Sequence, residues 1–379
     1  FNPQTFKIEN RKITHLWKIP GKELIEVYLD NGNSFSVKVT PEHPFFVLRQ
    51  GKLQQVTAEK LNGDDFVAVP RKYVVKESNV NLFQKLKTLD LDVKLPYKLK
   101  LNTSIKQLHK KLNFRRNYCY LTIQLKNGIV PISLIENIES TSLLLKYKGS
   151  KKFISFPAHL TSELAEFLGY VWGDGHLEEN YVEIVSEDKE IIERVEFISK
   201  TIFGIKLSIK KDVRTKGMYR LVLSSKTLAK ILNKIFGMPF GKKGDDLCLP
   251  EIIPISNLEI VRQFIQAYFD CDAYPSDKKR EIELVSESKR MVREVQLLLL
   301  RFGIVSSLSK KTVNGKSYWR LRITGRYAEK YGEKIGFRIN RKKRIVELYS
   351  EIGLLEGCRK QDMIPLGRRL YEIRMQLGF

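Results

Sequence analysis

The fold is decided by two apolar stretches, SELAEFLGYVWGDGHL from Ser162 and LEIVRQFIQAYFDCDAY from Leu258. Each is long and apolar enough to predict a helix that is buried on most of its surface. Each predicted helix ends at an aspartate, Asp174 in the first and Asp272 in the second. Two buried helices of the same design in one chain indicate an internal repeat.

Small residues lie four positions apart in both helices, Gly169 with Gly173 and Ala267 with Cys271. Residues at this spacing share one helix face, and small side chains there allow two helix backbones to approach closely. We therefore expect the two helices to pack side by side and to bring their terminal aspartates within reach of a shared metal ion.

The paired aspartates are unfavourable for stability. A carboxylate at the C-terminal end of a helix costs about 0.3–1 kcal/mol, because that end carries partial negative charge, and two adjacent carboxylates repel each other. A divalent cation between them reverses the sign of both effects. The alternative, two core helices with incidental acidic ends, does not account for acids at equivalent positions of a repeat. Asp174 and Asp272 are therefore the candidate metal-binding and catalytic residues.

The segments behind the two helices are also similar to each other. SEDK at 186–189 corresponds to SESK at 286–289, and YRL at 219–221 corresponds to WRL at 319–321, each with an offset of 100 residues. Each unit is predicted to form a helix, a strand, a helix, two strands and a helix.

The composition indicates a polyanionic partner. The 379 residues include 67 Lys and Arg against 43 Asp and Glu, for a net charge of +24. Thermal adaptation adds Glu together with Lys, so nucleic acid explains the surplus better.

No apolar run is long enough to predict a membrane span. The 4 widely spaced cysteines exclude a disulfide scaffold or zinc ribbon and favour an intracellular, cytoplasmic setting. The chain lacks the glycine-rich phosphate-binding motifs of nucleotide-driven motors.

Residues 1–75 are predicted to form a β-rich module. Strand-like runs flank the turn signal at Asp30–Asn33, and another run follows the turn signal at Asn62–Asp64. Residues 76–155 are denser in Lys and Arg, and they show helical periodicity in NLFQKLKTL and TSIKQLHKKLN. This pattern predicts a basic helical linker or, alternatively, a helix-turn-helix within 100–125.

LGYVWGDGHL and FIQAYFDCDAY resemble the two signature helices of LAGLIDADG homing endonucleases, and the repeat over about 156–340 is similar to that family. The resemblance implies an endonuclease that cleaves both strands of DNA at a long recognition site. Paired carboxylates suit Mg²⁺, with Mn²⁺ as a substitute. The resemblance also implies a monomer with pseudo-twofold symmetry. GKKGDDLCLPEIIP resembles the block that carries a basic active-site residue in intein-borne members, with Lys242 and Lys243 both candidates.

The β module resembles part of an intein splicing (Hint) domain. TPEH at Thr40–His43 matches the T-x-x-H motif of that family, in which Thr40 and His43 would activate the N-terminal scissile peptide bond. The chain departs from the family at both ends. It begins with Phe1 in place of Cys, Ser or Thr, and it ends at Phe379 without His-Asn. Self-splicing by the chain as written is expected to fail, whether a segment is missing or the activity has been lost.

DNA binding is predicted on the later strands of each repeat. In SYWRLRIT, apolar residues alternate with polar ones, so one face packs on helices and the other faces DNA. A single arginine there is expected to contact phosphate more often than a base. Glu183 and Glu283 do not fit a basic face, and the sequence assigns them no role. The candidate DNA-binding residues are Arg220, Arg320, Arg322, Lys206, Lys210, Lys211, Lys310 and Lys311.

The sequence therefore predicts a multidomain α+β protein, in which a β-rich Hint-like module precedes pseudo-twofold αββαββα repeats. Its function is predicted to be divalent-metal-dependent, site-specific cleavage of double-stranded DNA. The alternatives are a protein-splicing element, or a maturase-like nucleic-acid binder that does not cleave. The expected divisions are a partial Hint-like domain at 1–75, a basic helical DNA-recognition or linker region at 76–155, repeats at 156–250 and 251–340, and a basic helical extension at 341–379.

Overall fold

The computed structural model of the chain describes residues 2, 9, 11–18, 23–29, 35–49, 52–78, 80–95, 106–107, 110, 117–136, 141–213, 215, 217–313, 315–352 and 375–376. The chain divides into two compact units. One unit comprises residues 1–75, 275–331 and 345–379, and the other comprises residues 76–274 and 332–344. No helix among the described residues combines the length and the apolar character needed to cross a membrane.

The N-terminal module consists of two small antiparallel sheets. Strand β1 (Ile25–Leu29) pairs with β2 (Phe35–Val39), and β3 (Pro44–Arg49) lies between β4 (Lys52–Thr57) and β5 (Phe66–Val67). One buried valine lies on each of β2, β3 and β4, namely Val39, Val47 and Val56. The prediction of a β-rich module is confirmed, although the third predicted run contributes only the two residues of β5.

The described part of residues 80–160 is organised by a four-stranded sheet, which corrects the prediction of a basic helical region. The helices Phe83–Leu86 and Tyr118–Lys126 are short, and the strands lie across the sheet in the order Ile129–Pro131, Leu91–Lys94, Ser142–Tyr147 and Ile154–Pro157. Leu143 and Leu145 are buried and alternate with exposed or partly exposed neighbours, so the period is two. The sequence does not show this alternation, because the exposed residue between them, Leu144, is also apolar. The elements are α1 (Phe83–Leu86), β6 (Leu91–Lys94), α2 (Tyr118–Lys126), β7 (Ile129–Pro131), β8 (Ser142–Tyr147) and β9 (Ile154–Pro157).

The helix-turn-helix alternative within 100–125 depends on residues 101–116, most of which lie outside the described residues. Residues 106, 107 and 110 are described and are helical. The second helix, α2, is described over its whole length, and the Asn117 side chain caps it by accepting a hydrogen bond from the Tyr120 backbone N–H at 3.2 Å.

Each repeat runs helix, two strands, helix, two strands, helix, which confirms the predicted α+β class. The first repeat forms a sheet of order β10–β11–β13–β12, and the second forms one of order β14–β15–β17–β16. The first repeat contains α3 (Ser162–Asp174), β10 (Gly175–Leu177), β11 (Val182–Ser186), α4 (Lys189–Thr201), β12 (Ser208–Lys211), β13 (Tyr219–Leu223) and α5 (Lys226–Lys234). The second contains α6 (Leu258–Asp272), β14 (Ala273–Pro275), β15 (Glu281–Ser286), α7 (Lys289–Arg301), β16 (Ser307–Val313), β17 (Lys316–Thr324) and α8 (Arg326–Lys334).

Side-chain caps set the start of the two signature helices. The Thr161 hydroxyl accepts the Leu164 backbone N–H at 3.2 Å, and the Asn257 side-chain oxygen accepts that of Ile260 at 2.9 Å. Both helices end directly in extended backbone, because Gly175 and Ala273 begin the strands β10 and β14. Each terminal aspartate is therefore fixed at a helix-to-strand junction.

Helices α3 and α6 pack against each other through the predicted small residues. A Cβ atom added at Gly169 would lie 2.5 Å from the Phe264 carbonyl oxygen and 2.6 Å from the Ala267 Cβ. A Cβ at Gly173 would meet the Cys271 side chain, with the Sγ atom at 2.8 Å. These separations leave room only for hydrogen, so the prediction that small residues form the contact is confirmed.

The predicted basic extension begins as helix. Helices α9 (Asn340–Glu347) and α10 (Tyr349–Ile352) follow the second repeat. The rest of the extension, apart from residues 375–376, lies outside the described residues.

Candidate functional site

The two terminal aspartates lie where α3 and α6 end, and each is partly exposed. Burial and the negative charge of Asp174 together raise the pKa of Asp272 to about 7, against the opposing effect of Lys243. The pKa of Asp174 is also raised, chiefly by burial, while Lys243 lowers it. The fold therefore brings the two carboxyl groups within electrostatic reach of each other, at an energetic cost in the absence of a cation.

Of the two lysines in the GKKG segment, Lys243 reaches the end of α3. Its Nζ donates a hydrogen bond to the Trp172 carbonyl oxygen at 2.8 Å and a second one to the carbonyl oxygen of Gly173. The indole of Trp172 anchors the same segment by donating to the Cys248 carbonyl oxygen at 2.7 Å. Burial lowers the pKa of Lys243, and Asp272 and Asp174 oppose that shift. Lys242, the other candidate, is exposed.

Lys342 occupies a similar position in the second repeat, and the sequence reasoning missed it. Its Nζ donates to the Asp270 carbonyl oxygen at 2.5 Å and to that of Phe269 at 3.3 Å, near the end of α6. Burial lowers its pKa, with Asp270 opposing the shift. Lys342 follows Lys243 by 99 residues, one fewer than the offset of 100 between the repeats, so applying that offset to Lys243 would have led to the adjacent pair Lys342 and Lys343.

Asp270, the other aspartate of the second signature helix, has different contacts from Asp272. Its carboxylate accepts the backbone N–H groups of Arg338 at 3.0 Å and Ile339 at 3.4 Å. Burial raises its pKa to about 7, and the positive charge of Arg338 opposes that shift. Asp270 thus holds the segment that leads into α9 and carries Lys342.

A buried ion cluster supports the same region. Glu166, on α3, is 2% exposed and is bound by the Arg194 guanidinium through two hydrogen bonds of 2.9 and 2.7 Å. The Arg338 Nε lies 3.3 Å from the same carboxylate, and the Tyr170 hydroxyl donates to it at 3.0 Å. Removing one partner would leave a buried charge uncompensated, so the cluster fixes α3, α4 and the Arg338 segment relative to one another.

The site's donor set fits Mg²⁺ or Mn²⁺. Two carboxylates with raised pKa values gain from a cation, and backbone carbonyl oxygens near both helix ends are further hard ligands. Among the described residues, no group of three or more His, Cys, Asp or Glu side chains is placed to hold a metal. An ion here would therefore complete its shell with backbone oxygen, water or phosphate, which is usual for Mg²⁺.

Arg220 and Lys210 share one face of the first repeat's sheet. They lie opposite each other in the pairing of β12 with β13, and the Arg220 Nη2 donates to the Glu183 Oε2 at 2.5 Å. Lys211 lies opposite Tyr219 and so belongs to the other face, contrary to the predicted basic surface. Lys206 is exposed just before β12.

The second repeat places Arg320, Arg322 and Lys311 on a corresponding face. Lys311 Nζ and Arg320 Nη1 each lie 3.5 Å from Glu283, and the Arg322 Nε is buried without a hydrogen-bond partner. Lys310 lies opposite Trp319, on the other face, where Lys289 stacks on the Trp319 ring at 4.4 Å. The alternation predicted for SYWRLRIT is correct, but Lys310 falls outside its polar face because of the β16 register.

Thr40 and His43 lie at the turn between β2 and β3. The His43 backbone N–H donates to the Thr40 carbonyl oxygen at 3.0 Å, and the exposed His43 ring packs edge-on against Phe45 at 5.4 Å. Their splicing role stays a prediction.

Comparison with known proteins identifies the repeats. The sequence profile of the LAGLIDADG-like domain matches residues 161–236 and 259–336. The chain is 27% identical over 380 residues to the probable translation initiation factor IF-2 of Methanocaldococcus jannaschii, covering 96% of this chain and 30% of that protein. It is 27% identical over 404 residues to the glutamine–fructose-6-phosphate aminotransferase of the same organism, covering 100% of this chain and 35% of that one. The chain thus spans about a third of the length of these curated relatives.

Among solved structures, the complex of I-DmoI with DNA and Mn is similar with a TM-score of 0.36 and 18% identity, over 47% of this chain and 97% of that one. Full-length DUF199/WhiA from Thermatoga maritima gives a TM-score of 0.37 and 12% identity, over 57% and 66% of the two chains. The profile match coincides with the two repeats, each of which begins with one of the paired helices. Residues 161–236 and 259–336 therefore belong to the LAGLIDADG-like domain family, and each contributes one of the helices that end at Asp174 and Asp272.

Proposed function

We propose that this protein is a site-specific endonuclease that hydrolyses both strands of double-stranded DNA with Mg²⁺ or Mn²⁺. The observation that carries the proposal is the duplicated junction of α3 and α6. Each helix ends at a partly exposed aspartate, and a lysine bonds backbone carbonyl oxygens beside it. Two equivalent sets of groups suit a substrate with two strands.

Asp174 and Asp272 would hold the metal. When bound, such an ion supplies an activated water and neutralises charge on the scissile phosphate. Lys243 and Lys342 place cations at the negatively charged ends of α3 and α6, where they stabilise the paired carboxylates. Their lowered pKa values bring both ammonium groups closer to proton transfer at neutral pH, so each is a candidate proton donor or phosphate contact.

DNA would bind to the basic faces of the two repeat sheets. A two-stranded antiparallel ribbon fits the major groove, and the net charge of +24 favours a polyanion. Arg220 with Lys210 in the first repeat, and Arg320 with Arg322 and Lys311 in the second, are the proposed contacts. Lys206 extends the first of these faces at its edge.

The endonuclease is proposed to be borne by an intein. A translation factor and an aminotransferase have unrelated names, yet each is similar to this chain over about a third of its length. A shared segment in such different proteins is expected of an inserted element. The turn at Thr40–His43 is then the proposed remnant of the splicing site, and its exposure leaves it accessible to a peptide segment.

Cleavage of a plasmid library with and without Mg²⁺ tests the proposal. Asp174→Asn and Asp272→Asn keep the side-chain shape and remove one charge, so cleavage should fall by several orders of magnitude while DNA binding persists. Glu193→Gln is the matched control, because it removes the same charge from an exposed position on α4. If a double Asp174→Asn, Asp272→Asn variant cuts at the wild-type rate, the site assignment is wrong. If the wild type binds DNA but never cuts it, the protein is a binder of the maturase-like kind.

A further inference from the structure

An acidic residue interrupts the basic face of both repeats at the same place. Glu183 lies on β11 and Glu283 on β15, 100 residues apart, and their partners Arg220 and Arg320 are also 100 residues apart. In each repeat the glutamate bonds the arginine diagonally across the strand pair. The recurrence of the whole pair indicates a common role.

Neither stability nor DNA affinity explains these pairs. The arginine of each pair is partly exposed, 41% for Arg220 and 27% for Arg320, so solvent screens the pair and reduces its contribution to stability. A carboxylate on a surface that binds DNA repels phosphate and offsets the attraction of the neighbouring arginine. A protein that needs only phosphate contacts would gain by replacing both glutamates.

We propose that Glu183 and Glu283 are positioning residues that hold Arg220 and Arg320 in the orientation needed to read a guanine in the major groove. The proposal rests on the proposed function as a DNA endonuclease and adds a source of sequence specificity. Bidentate contact with guanine O6 and N7 requires a fixed guanidinium plane, whereas a phosphate accepts from many directions. A free arginine side chain has large rotamer freedom, which the carboxylate removes before DNA arrives.

The geometry leaves each arginine able to read a base. Glu183 engages Nη2 of Arg220, and a guanidinium has five N–H donors, so other donors remain for the base. Arg320 is held from two sides, by Glu283 through Nη1 at 3.5 Å and by the Ser309 hydroxyl through Nε at 3.4 Å. Both arrangements fix the plane without using all of its donors.

The two repeats should differ in how strongly they discriminate. The Glu183 side chain is 9% exposed and lies 2.5 Å from Arg220, whereas that of Glu283 is 22% exposed, 3.5 Å from Arg320 and shared with Lys311. The tighter pair belongs to the first repeat, so the stronger guanine preference is expected in the half of the target site that this repeat binds.

Selection of bound duplexes from a randomised DNA library in Ca²⁺ tests the proposal without requiring cleavage. The full chain is compared with Glu183→Ala, Glu183→Gln, Arg220→Lys and, as the charge-matched control, Glu193→Gln. Wild type should enrich guanine at one position of one half-site. Glu183→Ala and Arg220→Lys should each weaken discrimination at that position by about 10-fold or more, with the other positions unchanged.

Further readouts separate positioning from a general structural effect. Glu183→Gln keeps an acceptor for Arg220 and should retain most of the preference, and Glu183→Ala should bind non-specific DNA as well as wild type or better. Glu283→Ala is an independent test, because it should relax one position in the other half-site only. The proposal is overturned if wild type enriches no sequence, if Arg220→Lys leaves the profile unchanged, or if Glu183→Ala and Glu283→Ala relax every position equally. Enriched duplexes that are not cut in Mg²⁺ would refute the proposed endonuclease and leave the base-reading inference intact.

Discussion

Gly169→Ala should destabilise the protein, although alanine is the better helix former. The new Cβ would lie 2.5 Å from the Phe264 carbonyl oxygen, 2.6 Å from the Ala267 Cβ and 3.0 Å from the Tyr268 backbone nitrogen. Ordinary carbon contacts need about 3.5–4.0 Å, so α3 and α6 must separate by about 1 Å. Overpacking of this kind costs about 1–3 kcal/mol, and the backbone atoms involved cannot rotate away, which favours the upper half of that range. The higher helix propensity of alanine offsets about 1 kcal/mol of this cost, so the free energy of unfolding should decrease by about 1–2 kcal/mol.

The same separation should impair catalysis, because both aspartates lie at the ends of the displaced helices. A misplacement of about 1 Å can cost about 10²-fold in rate. Thermal unfolding measured by calorimetry, together with plasmid cleavage well below the unfolding temperature, tests both effects. Ala267→Gly in the same chain should restore only part of the stability, since it removes the Ala267 contact and leaves that with Phe264. Gly63→Ala is the control, because a Cβ there meets nothing within 4 Å. A Gly169→Ala variant as stable and as active as wild type would refute the close helix contact.

Three further predictions concern the metal, the lysines and the strands. The pKa of Asp272 is raised to about 7, so the folded state binds this proton more tightly than the unfolded state does. Without metal, the free energy of unfolding should therefore decrease as the pH rises from about 4 to 7. Unfolding temperatures across this range should show it, and Mg²⁺ should raise them most at pH 7 and above, where the carboxylate is free to bind. Lys243→Gln and Lys342→Gln should each lower the single-turnover cleavage rate by about 10²-fold with little change in DNA affinity; loss of binding instead would assign both lysines to DNA contact. Arg322→Ala should reduce the slope of log binding constant against log salt by about 0.9 for all sequences equally, whereas a loss confined to one base position would make Arg322 a base reader.

Much of the fold could be predicted because its pattern is repeated. The apolar helices, the small residues four apart and the terminal aspartates each occur twice, so one occurrence supports the other. The residue pattern alone still missed β10 and β14, which have only three residues each and directly follow the helices. Three residues are too few to show a period of two.

Residues 76–155 show where local sequence misleads. Their lysines and short helical runs predicted helices, whereas a sheet of four short strands organises the part that the structure describes. Strands of three to six residues are held by partners distant in the chain, as when β6 pairs with both β7 and β8. Tertiary pairing of this kind overrides local propensity.

The candidate site divides in the same way. The sequence determined Asp174 and Asp272 as its centre, because helix position, charge and repetition are all local or periodic properties of the chain. Only the tertiary structure placed Lys243 at the end of α3 and Lys342 near the end of α6. It also placed Lys211 and Lys310 on the face away from Arg220 and Arg320. It further showed that Glu183 pairs with Arg220 and Glu283 with Arg320, whereas nothing in the sequence explained an acidic residue on a basic face. Each of these outcomes depends on which loop crosses a helix end or on the register of one strand against another. A one-residue change in register reverses the face of every side chain, and the register of these strands is fixed only when they pair with their neighbours in the sheet.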